Sequence, residues 1–251
     1  MRRFFVPTSQ IHHSLAFISG DEFHHLRRVL RLRIGDEVTI CDDHGQEHYG
    51  TVVTLSPTWA EVTIRHTQLV QTSRVPLTLG LGMLKGQKMD LVIEKVTELG
   101  VDRVAPFIST FTVSQLPTER QSERIARWQR IAQSAAKQSG SSVPQILAPQ
   151  TFVQLCDSQS PDVTTILFYE QERQPTLKTF ADSHLRPSSL CIIVGPEGGF
   201  APQEVEQARG RDIHILGLGA QTLRAETAGI VAVALCRFLW DGGPIPPLPQ
   251  R

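Results

Sequence analysis

The sequence predicts an α/β protein with a mostly parallel sheet, preceded by a small all-β domain. Residues 1–72 contain short alternating runs, such as "DEVTICDD", "EHYGTVVTLS" and "WAEVTIRH", and seven of the nine histidines. After "QTSRVP", apolar runs of strand length alternate with helical patterns, which is typical of a parallel sheet with helices on both faces. We therefore expect domains at 1–72 and 73–241, and a disordered proline-rich tail at 242–251.

The first domain is expected to be a small β-barrel or sandwich that one helix interrupts. This helix is predicted around "DEFHHLRRVLRL", where Phe23, Leu26 and then Val29 or Leu30 recur at helical spacing.

The second domain is predicted to contain five strands and four helices. Its strands are "LTLGLGML", "RVAPFIS", "VTTILFY", "LCIIVG" and "DIHILGLG". Its helices are "KMDLVIEKVTELG", "TERQSERIARWQRIAQSAAKQSG", "APQEVEQARG" and "ETAGIVAVALCRFLW", and the first two end in glycine, as helices often do. Ligands of such sheets bind at the carboxyl ends of the strands. Three candidate loops lie there: Glu170 to Arg173, Gly195 to Phe200 and Gly217 to Arg224.

Composition excludes several classes of protein. The four cysteines are far apart, so their spacing fits neither a zinc site nor a disulfide framework. Free thiols favour a reducing compartment. No apolar run reaches 18 residues, and no apolar segment follows the two N-terminal arginines. We expect a cytoplasmic protein without a bound metal and without a membrane partner.

The segment "CIIVGPEGGFAPQEV" joins a buried strand to a helix through a glycine loop. Gly195, Gly198 and Gly199 let the backbone approach a ligand closely. The loop lacks the lysine of a phosphate-binding loop, and Glu197 would repel a polyphosphate. A cationic or neutral ligand fits better, although an ordinary turn with a solvated Glu197 fits the same spacing.

Other familiar motifs are missing. "GLGMLKG" departs from G-x-G-x-x-G by one residue, and neither a G-x-S-x-G nor an H-E-x-x-H segment occurs. These absences favour a transferase in which the cofactor carries the reactive group, while the protein orients and polarises the reactants.

Arg224 stands at the start of the most apolar helix. Thr222 or Glu226 can cap that helix, but a cation near a helix N-terminus is disfavoured. We therefore expect Arg224 to bind a partner or to take part in the chemistry.

Basic residues recur in short rows, which fit either phosphate contacts or solvated helix faces. Arg27, Arg28 and Arg31 are spaced so that two or three share one helix face. The candidate RNA contacts are Arg27, Arg28, Arg31, Lys85, Lys88 and Lys137.

Six segments occur in the order found in one known family: "MRRFFVP", "HHLRRVLRLRIGDEV", "KGQKMDLVIEKVTELGV", "RWQRIAQSAAKQSG", "VGPEGGF" and "LRAETA". Together they resemble the RsmE-type 16S ribosomal RNA uridine-N3 methyltransferases of the SPOUT (trefoil-knot) superfamily. The resemblance covers nearly the whole chain. It implies a PUA-like β-barrel for RNA, a knotted α/β domain that binds S-adenosyl-L-methionine, and a homodimer acting on small-subunit ribosomal RNA, free or assembled.

The resemblance also implies roles for individual residues. Arg224 would stabilise charge on the uracil ring during methyl transfer. The cofactor would be bound by Gly195, Glu197, Gly198, Gly199, Leu216, Gly217, Leu218, Leu223 and Thr227.

The chain departs from the family pattern at two places. Ser141 and Ser142 follow "QSG" where an arginine is usual, and Gln221 and Thr222 replace an arginine and an aliphatic residue. Both changes remove positive charge. They keep two alternatives open, a non-catalytic RNA-binding or ribosome-assembly protein and a methyltransferase with another RNA target.

Overall fold

The computed structural model describes residues 2–42, 46–69, 74–112 and 121–241. The chain forms two compact units, Met1–Thr72 and Ser73–Arg251. The predicted tail at 242–251 lies outside the described residues. All four cysteines are buried and unpaired, in agreement with their spacing. Among the described helices, none combines the length and the apolar character needed to cross a bilayer.

The first unit is one six-stranded sheet with the order β1-β4-β5-β6-β3-β2. The strands β1 and β4 pair in parallel, and the other pairs are antiparallel. Residues facing inward, among them Phe4, Ile18 and Ile40, form a closed apolar core. The elements are β1 Arg3–Phe5, a 3-10 turn Thr8–Gln10, β2 Ile11–His12, β3 Leu15–Ser19, α1 Gly20–His24, a π-helical turn His25–Val29, β4 Glu37–Cys41, β5 Gln46–Leu55 and β6 Trp59–Leu69.

The helix predicted in this unit is shorter than the spacing of its apolar residues indicates, and its second half is wider than an α-helix. After α1 the chain widens into the π-helical turn, in which the Leu30 N–H donates to the His25 carbonyl at 3.0 Å. This turn buries Leu26 completely and leaves Val29 exposed, so Val29 is not part of the apolar face. Arg31 lies beyond the helix with φ +51°, so the expected helical spacing from Arg27 to Arg31 is wrong.

The second unit contains a seven-stranded sheet in which every pair is parallel. The elements are β7 Leu77–Gly82, α2 Lys88–Glu98, β8 Arg103–Ile108, α3 Gln121–Ser139, β9 Gln145–Ile146, β10 Gln150–Thr151, α4 Phe152–Asp157, β11 Thr164–Phe168, α5 Leu177–Ser183, β12 Leu190–Val194, α6 Pro202–Arg209, β13 His214–Leu216 and α7 Ala225–Trp240. The strand order is β10-β8-β7-β12-β11-β13, and β9 also pairs with β8.

Both faces of this sheet are covered by helices. Alternate residues of β12 belong to different cores: Ile192 and Val194 pack with α2, α3 and α7, whereas Cys191 and Ile193 pack with α4 and α6. A strand buried on both faces needs apolar residues at every position, which explains the unbroken run "LCIIV". The predicted α/β class with a parallel sheet is confirmed.

Two short helices and two short strands escape the sequence prediction. The helices α4 and α5 are 6 and 7 residues long, too short for an apolar period to stand out. Each begins with a capping box, formed by Thr151 with Gln154 and by Thr176 with Thr179. The signal T-x-x-Q in "TFVQ" marks the first of these helix starts in the sequence.

Arg237 fastens the end of α7 to the start of β7. Its guanidinium donates to the carbonyl oxygens of Val75 and Gly100, and to the carboxylates of Asp102 and Asp241 at 2.9 Å. The Asp241 carboxylate also accepts the Val75 N–H at 2.9 Å. Only 10% of the Arg237 side chain is exposed, so these bonds are largely shielded from water.

We expect Arg237→Met to lower the free energy of unfolding by about 3 kcal/mol, because it leaves the largely shielded Asp241 carboxylate and two backbone carbonyls without their donor. Urea denaturation at pH 7 measures this loss. Arg130→Met is the matched control, because the exposed Arg130 makes a single 3.4 Å bond to a carbonyl of its own helix. That control should change stability by less than about 0.5 kcal/mol. Equal losses in the two variants would contradict the anchoring role of Arg237.

Candidate functional site

A cavity of about 360 Å³ lies at the carboxyl ends of β11 and β12. Its wall is formed by residues 168–170, by residues 194–199 and by most of residues 218–228, with Lys88 on one side. It therefore lies where open parallel sheets bind ligands. Three loops that are distant in sequence meet there.

The glycine loop reaches this position because its backbone crosses the end of β7 at very short range. A Cβ atom on Gly82, the last residue of β7, would collide with the backbone nitrogen of Pro196. A second constraint applies at Gly199, which has φ +69°. A Cβ atom there would lie 2.6 Å from Oε1 of Glu170. Both positions therefore require glycine.

Glu197 belongs to a three-membered charge cluster. The Lys88 ammonium lies 3.3 Å from a carboxylate oxygen of Glu197 and 3.3 Å from one of Glu226. The Lys85 backbone N–H also donates to Glu197, at 3.1 Å. The cluster joins the glycine loop to the first turns of α2 and α7, so Glu197 orders the loop.

The cluster stabilises the charged forms of Lys88 and Glu197. Desolvation alone would lower the pKa of Lys88, but its two carboxylate partners outweigh that effect and raise the pKa. Desolvation alone would raise the pKa of Glu197, but the Lys85 N–H and the Lys88 ammonium lower it. The Glu226 Oε2 is buried and has no well-directed hydrogen bond in the described chain, so its contact with Lys88 is an ion pair.

Arg224 is the residue immediately before α7. Its carbonyl accepts the Ala228 N–H at 2.8 Å, while its side chain makes no capping bond. The side chain is exposed and lines the cavity, and no carboxylate within the described ranges forms an ion pair with it. Within the described residues, a guanidinium without an ion pair thus lies at the positive end of a helix, where it is available to an anionic or polar ligand.

Two family models match the chain. One, described as an RNA methyltransferase domain, matches residues 71–237, and one described as an RNA methyltransferase PUA domain matches residues 18–64. The chain is 31% identical over 247 residues to ribosomal RNA small subunit methyltransferase E of Bacillus subtilis, covering 95% of this chain and 96% of the relative.

The chain belongs to the ribosomal RNA small subunit methyltransferase E family.

Further relatives agree with this assignment. The Synechocystis enzyme of the same name is 29% identical over 95% of this chain and 78% of its own length. The crystal structure of the Neisseria gonorrhoeae enzyme, bound to S-adenosyl methionine, is 30% identical with a TM-score of 0.83, covering 96% of this chain and 98% of that one. The resemblance drawn from the six sequence segments is confirmed, and so is the fold class of a PUA-like unit followed by an α/β methyltransferase domain.

The structure brings most of the predicted cofactor-binding residues of this family member into the cavity wall. They are Gly195, Glu197, Gly198, Gly199, Leu218 and Leu223. Three others lie outside it. Leu216 ends β13 and is only 1% exposed, and Gly217 is tightly packed against the carbonyl of Glu172. Thr227 is exposed on α7 but does not line the cavity.

The predicted RNA contacts are dispersed. Arg27 and Arg28 line a pocket of the first unit together with Phe23 and His24. Arg31 is exposed beyond the π-helical turn.

In the second unit, Lys85 is exposed and Lys137 is half-buried on α3. Lys88, expected at a phosphate, instead belongs to the charge cluster in the cavity. Gln221 and Thr222, where the chain departs from the family pattern, line the same cavity.

The sequence placed the loop from Glu170 to Arg173 at the candidate site but assigned no role to Glu170, which lines the cavity wall. It follows β11 and lies against Gly199. Its position at the carboxyl end of a predicted parallel strand was the available signal.

We expect Gly199→Ala to lower the free energy of unfolding by about 1–2 kcal/mol, because the substitution places a Cβ atom at a left-handed φ and against Glu170. Gly210→Ala is the matched control. Gly210 has φ −66°, and a Cβ atom there would meet nothing closer than 3.6 Å. Urea denaturation of both variants checks the prediction, and an unchanged stability of Gly199→Ala would show that the loop relaxes freely.

Proposed function

We propose that this protein transfers a methyl group from S-adenosyl-L-methionine to N3 of a uridine in 16S ribosomal RNA, in the cytoplasm. The observation that carries the proposal is the unpaired guanidinium of Arg224 in the cavity at the carboxyl edge of the sheet. The names of the relatives, ribosomal RNA small subunit methyltransferases, support the substrate class.

The cavity wall fits the proposed cofactor in charge. The wall carries three carboxylates, of Glu170, Glu197 and Glu226, against the two cations of Lys88 and Arg224. The difference of one negative charge complements S-adenosyl-L-methionine, whose sulfonium, ammonium and carboxylate sum to one positive charge. Polyphosphates would be repelled by the same set of charges. The solved Neisseria relative binds this cofactor.

We assign the binding of the cofactor to the loop at 195–199 and to Leu218 and Leu223. Backbone groups of the glycine loop approach the ligand, and the two leucines supply apolar contact. When bound, the cofactor supplies an electrophilic methyl group, which explains why the site needs neither a protein nucleophile nor a metal.

Arg224 acts on the other reactant. The N3 proton is lost to water, and the remaining negative charge spreads over the carbonyl oxygens of the uracil ring. A guanidinium beside these oxygens stabilises that charge, and its planar donors suit two oxygen acceptors. Lys88 and Glu226 hold the helix start that carries Arg224, so they position it.

The first unit is assigned to RNA binding. The family model that covers 18–64 describes an RNA methyltransferase PUA domain. Arg27 and Arg28 are exposed at a pocket, and no ion pair within the described residues neutralises them. They are suited to contact phosphates, with Arg31 nearby in sequence.

A homodimer is proposed through α7. Leu235 and Phe238 are exposed on this helix, and Phe238 is 80% exposed. Together with Thr227 and Val231 they recur at helical spacing and form a stripe that begins beside Arg224. An aromatic side chain this exposed is typical of an interface, and a second copy on the stripe would approach the mouth of the cavity.

We expect Phe238→Glu to convert the dimer to a monomer, because a carboxylate would be buried at the interface without a partner. Size-exclusion chromatography with light scattering measures the mass. Leu185→Glu is the control, because Leu185 is 95% exposed and lies outside α7. A dimer that persists in Phe238→Glu places the interface elsewhere.

We expect Arg224→Ala to lower methylation by at least about a thousandfold while binding of S-adenosyl-L-methionine is largely retained. A strain lacking the gene is complemented with wild type, Arg224→Ala or Arg224→Lys, and methyluridine in 16S ribosomal RNA is measured by mass spectrometry. Arg224→Lys keeps the charge but not the planar pair of donors, so it should restore little activity.

Near-normal methylation by Arg224→Ala would refute the catalytic assignment. Unchanged 16S methyluridine in the strain lacking the gene would refute the proposed reaction. Calorimetry of the purified protein then separates the remaining alternatives: binding of the cofactor points to another RNA target, and its absence with intact RNA binding points to a non-catalytic protein.

A further inference from the structure

Two charged side chains of the cavity wall are left without a partner. Lys88 forms ion pairs with both Glu197 and Glu226, so each of these three side chains has a charged partner. Arg224 and Glu170 also line the cavity, but no ion pair or hydrogen bond of either side chain is found in the part of the chain that the structure describes. The wall therefore presents one free cation and one free anion.

Glu170 is held in this position by the residues on either side of it. The Tyr169 N–H before it donates to the Leu216 carbonyl at 3.0 Å. After it, the Glu172 carboxylate pairs with Arg209 at 2.8 Å, and the Glu172 N–H donates back to Tyr169 at 3.1 Å. These contacts tie the loop to β13 and α6, so Glu170 is attached to a well-anchored segment.

The glycine loop leaves space for this carboxylate. An Oε1 atom of Glu170 occupies the place that a Cβ atom of residue 199 would need. The lack of a side chain at Gly199 therefore has a second effect besides close approach of the backbone to a ligand. It leaves room for the Glu170 carboxylate at the cavity wall.

We propose that Glu170 binds the positively charged end of S-adenosyl-L-methionine, an inference that rests on the proposed function. The cofactor offers two cationic groups, the ammonium of its amino-acid end and the sulfonium. Glu197 and Glu226 already share Lys88, so a ligand cation would have to displace that ammonium to pair with them. Glu170 is the wall carboxylate that a ligand cation meets without competition.

Calorimetry with purified full-length protein tests the assignment. Wild type, Glu170→Gln and Glu123→Gln are titrated with S-adenosyl-L-methionine and with S-adenosyl-L-homocysteine, which retains the ammonium and lacks the sulfonium charge. Glu123→Gln is the matched control, since it makes the same change at an exposed glutamate of α3 outside the cavity wall. Thermal unfolding without ligand verifies that all three proteins are folded.

We expect Glu170→Gln to weaken binding of S-adenosyl-L-methionine about tenfold, as loss of a charge-assisted bond does at a partly exposed site. Equal weakening of both ligands assigns Glu170 to the ammonium. Weakening confined to S-adenosyl-L-methionine assigns it to the sulfonium, and both results support the proposal. Unchanged affinity for both ligands, or an equal loss in Glu123→Gln, would overturn it.

The same titrations separate this inference from the proposed function. Wild type that binds neither ligand contradicts the proposed cofactor itself. Wild type that binds, with Glu170→Gln binding equally well, contradicts only the role of Glu170.

Discussion

The site depends on the close passage of Pro196 over Gly82. β12 lies between β7 and β11, so the loop that leaves it must cross the end of β7 before α6 begins. The crossing is possible only because Gly82 has no side chain. Displacing the loop would remove the contact of Lys85 with Glu197, and with it the link from the glycine loop to α2 and α7.

The passage of the glycine loop over β7 explains why the loop contains Glu197. In phosphate-binding loops a lysine neutralises the ligand, whereas here Lys88 is occupied by carboxylates of the protein. Glu197 fixes the loop and lowers the positive potential of the cavity. Among the described residues of the cavity wall, Arg224 is the cation without an ion pair.

The sequence predicts the regular part of the fold well, because local rules determine it. Apolar runs and glycine caps identify five of the seven strands and four of the six helices described in the second unit, and the family segments locate the cavity. What it misses depends on tertiary contacts. No spacing rule shows that Lys88 turns toward two glutamates, that Leu216 faces the core, or that Arg31 leaves the helix. Glu170 becomes a wall residue only when a loop 29 residues away brings Gly199 against it.

α7 is fastened at both ends. Arg237 ties its last turn to the start of β7, and Glu226 ties its first turn to Lys88. Its 16 residues span about 24 Å between these ties. The helix carries Arg224 at one end and the exposed Phe238 near the other. A rotation of α7 about its axis moves both residues together, so the proposed subunit contact and the proposed position of Arg224 depend on the same helix.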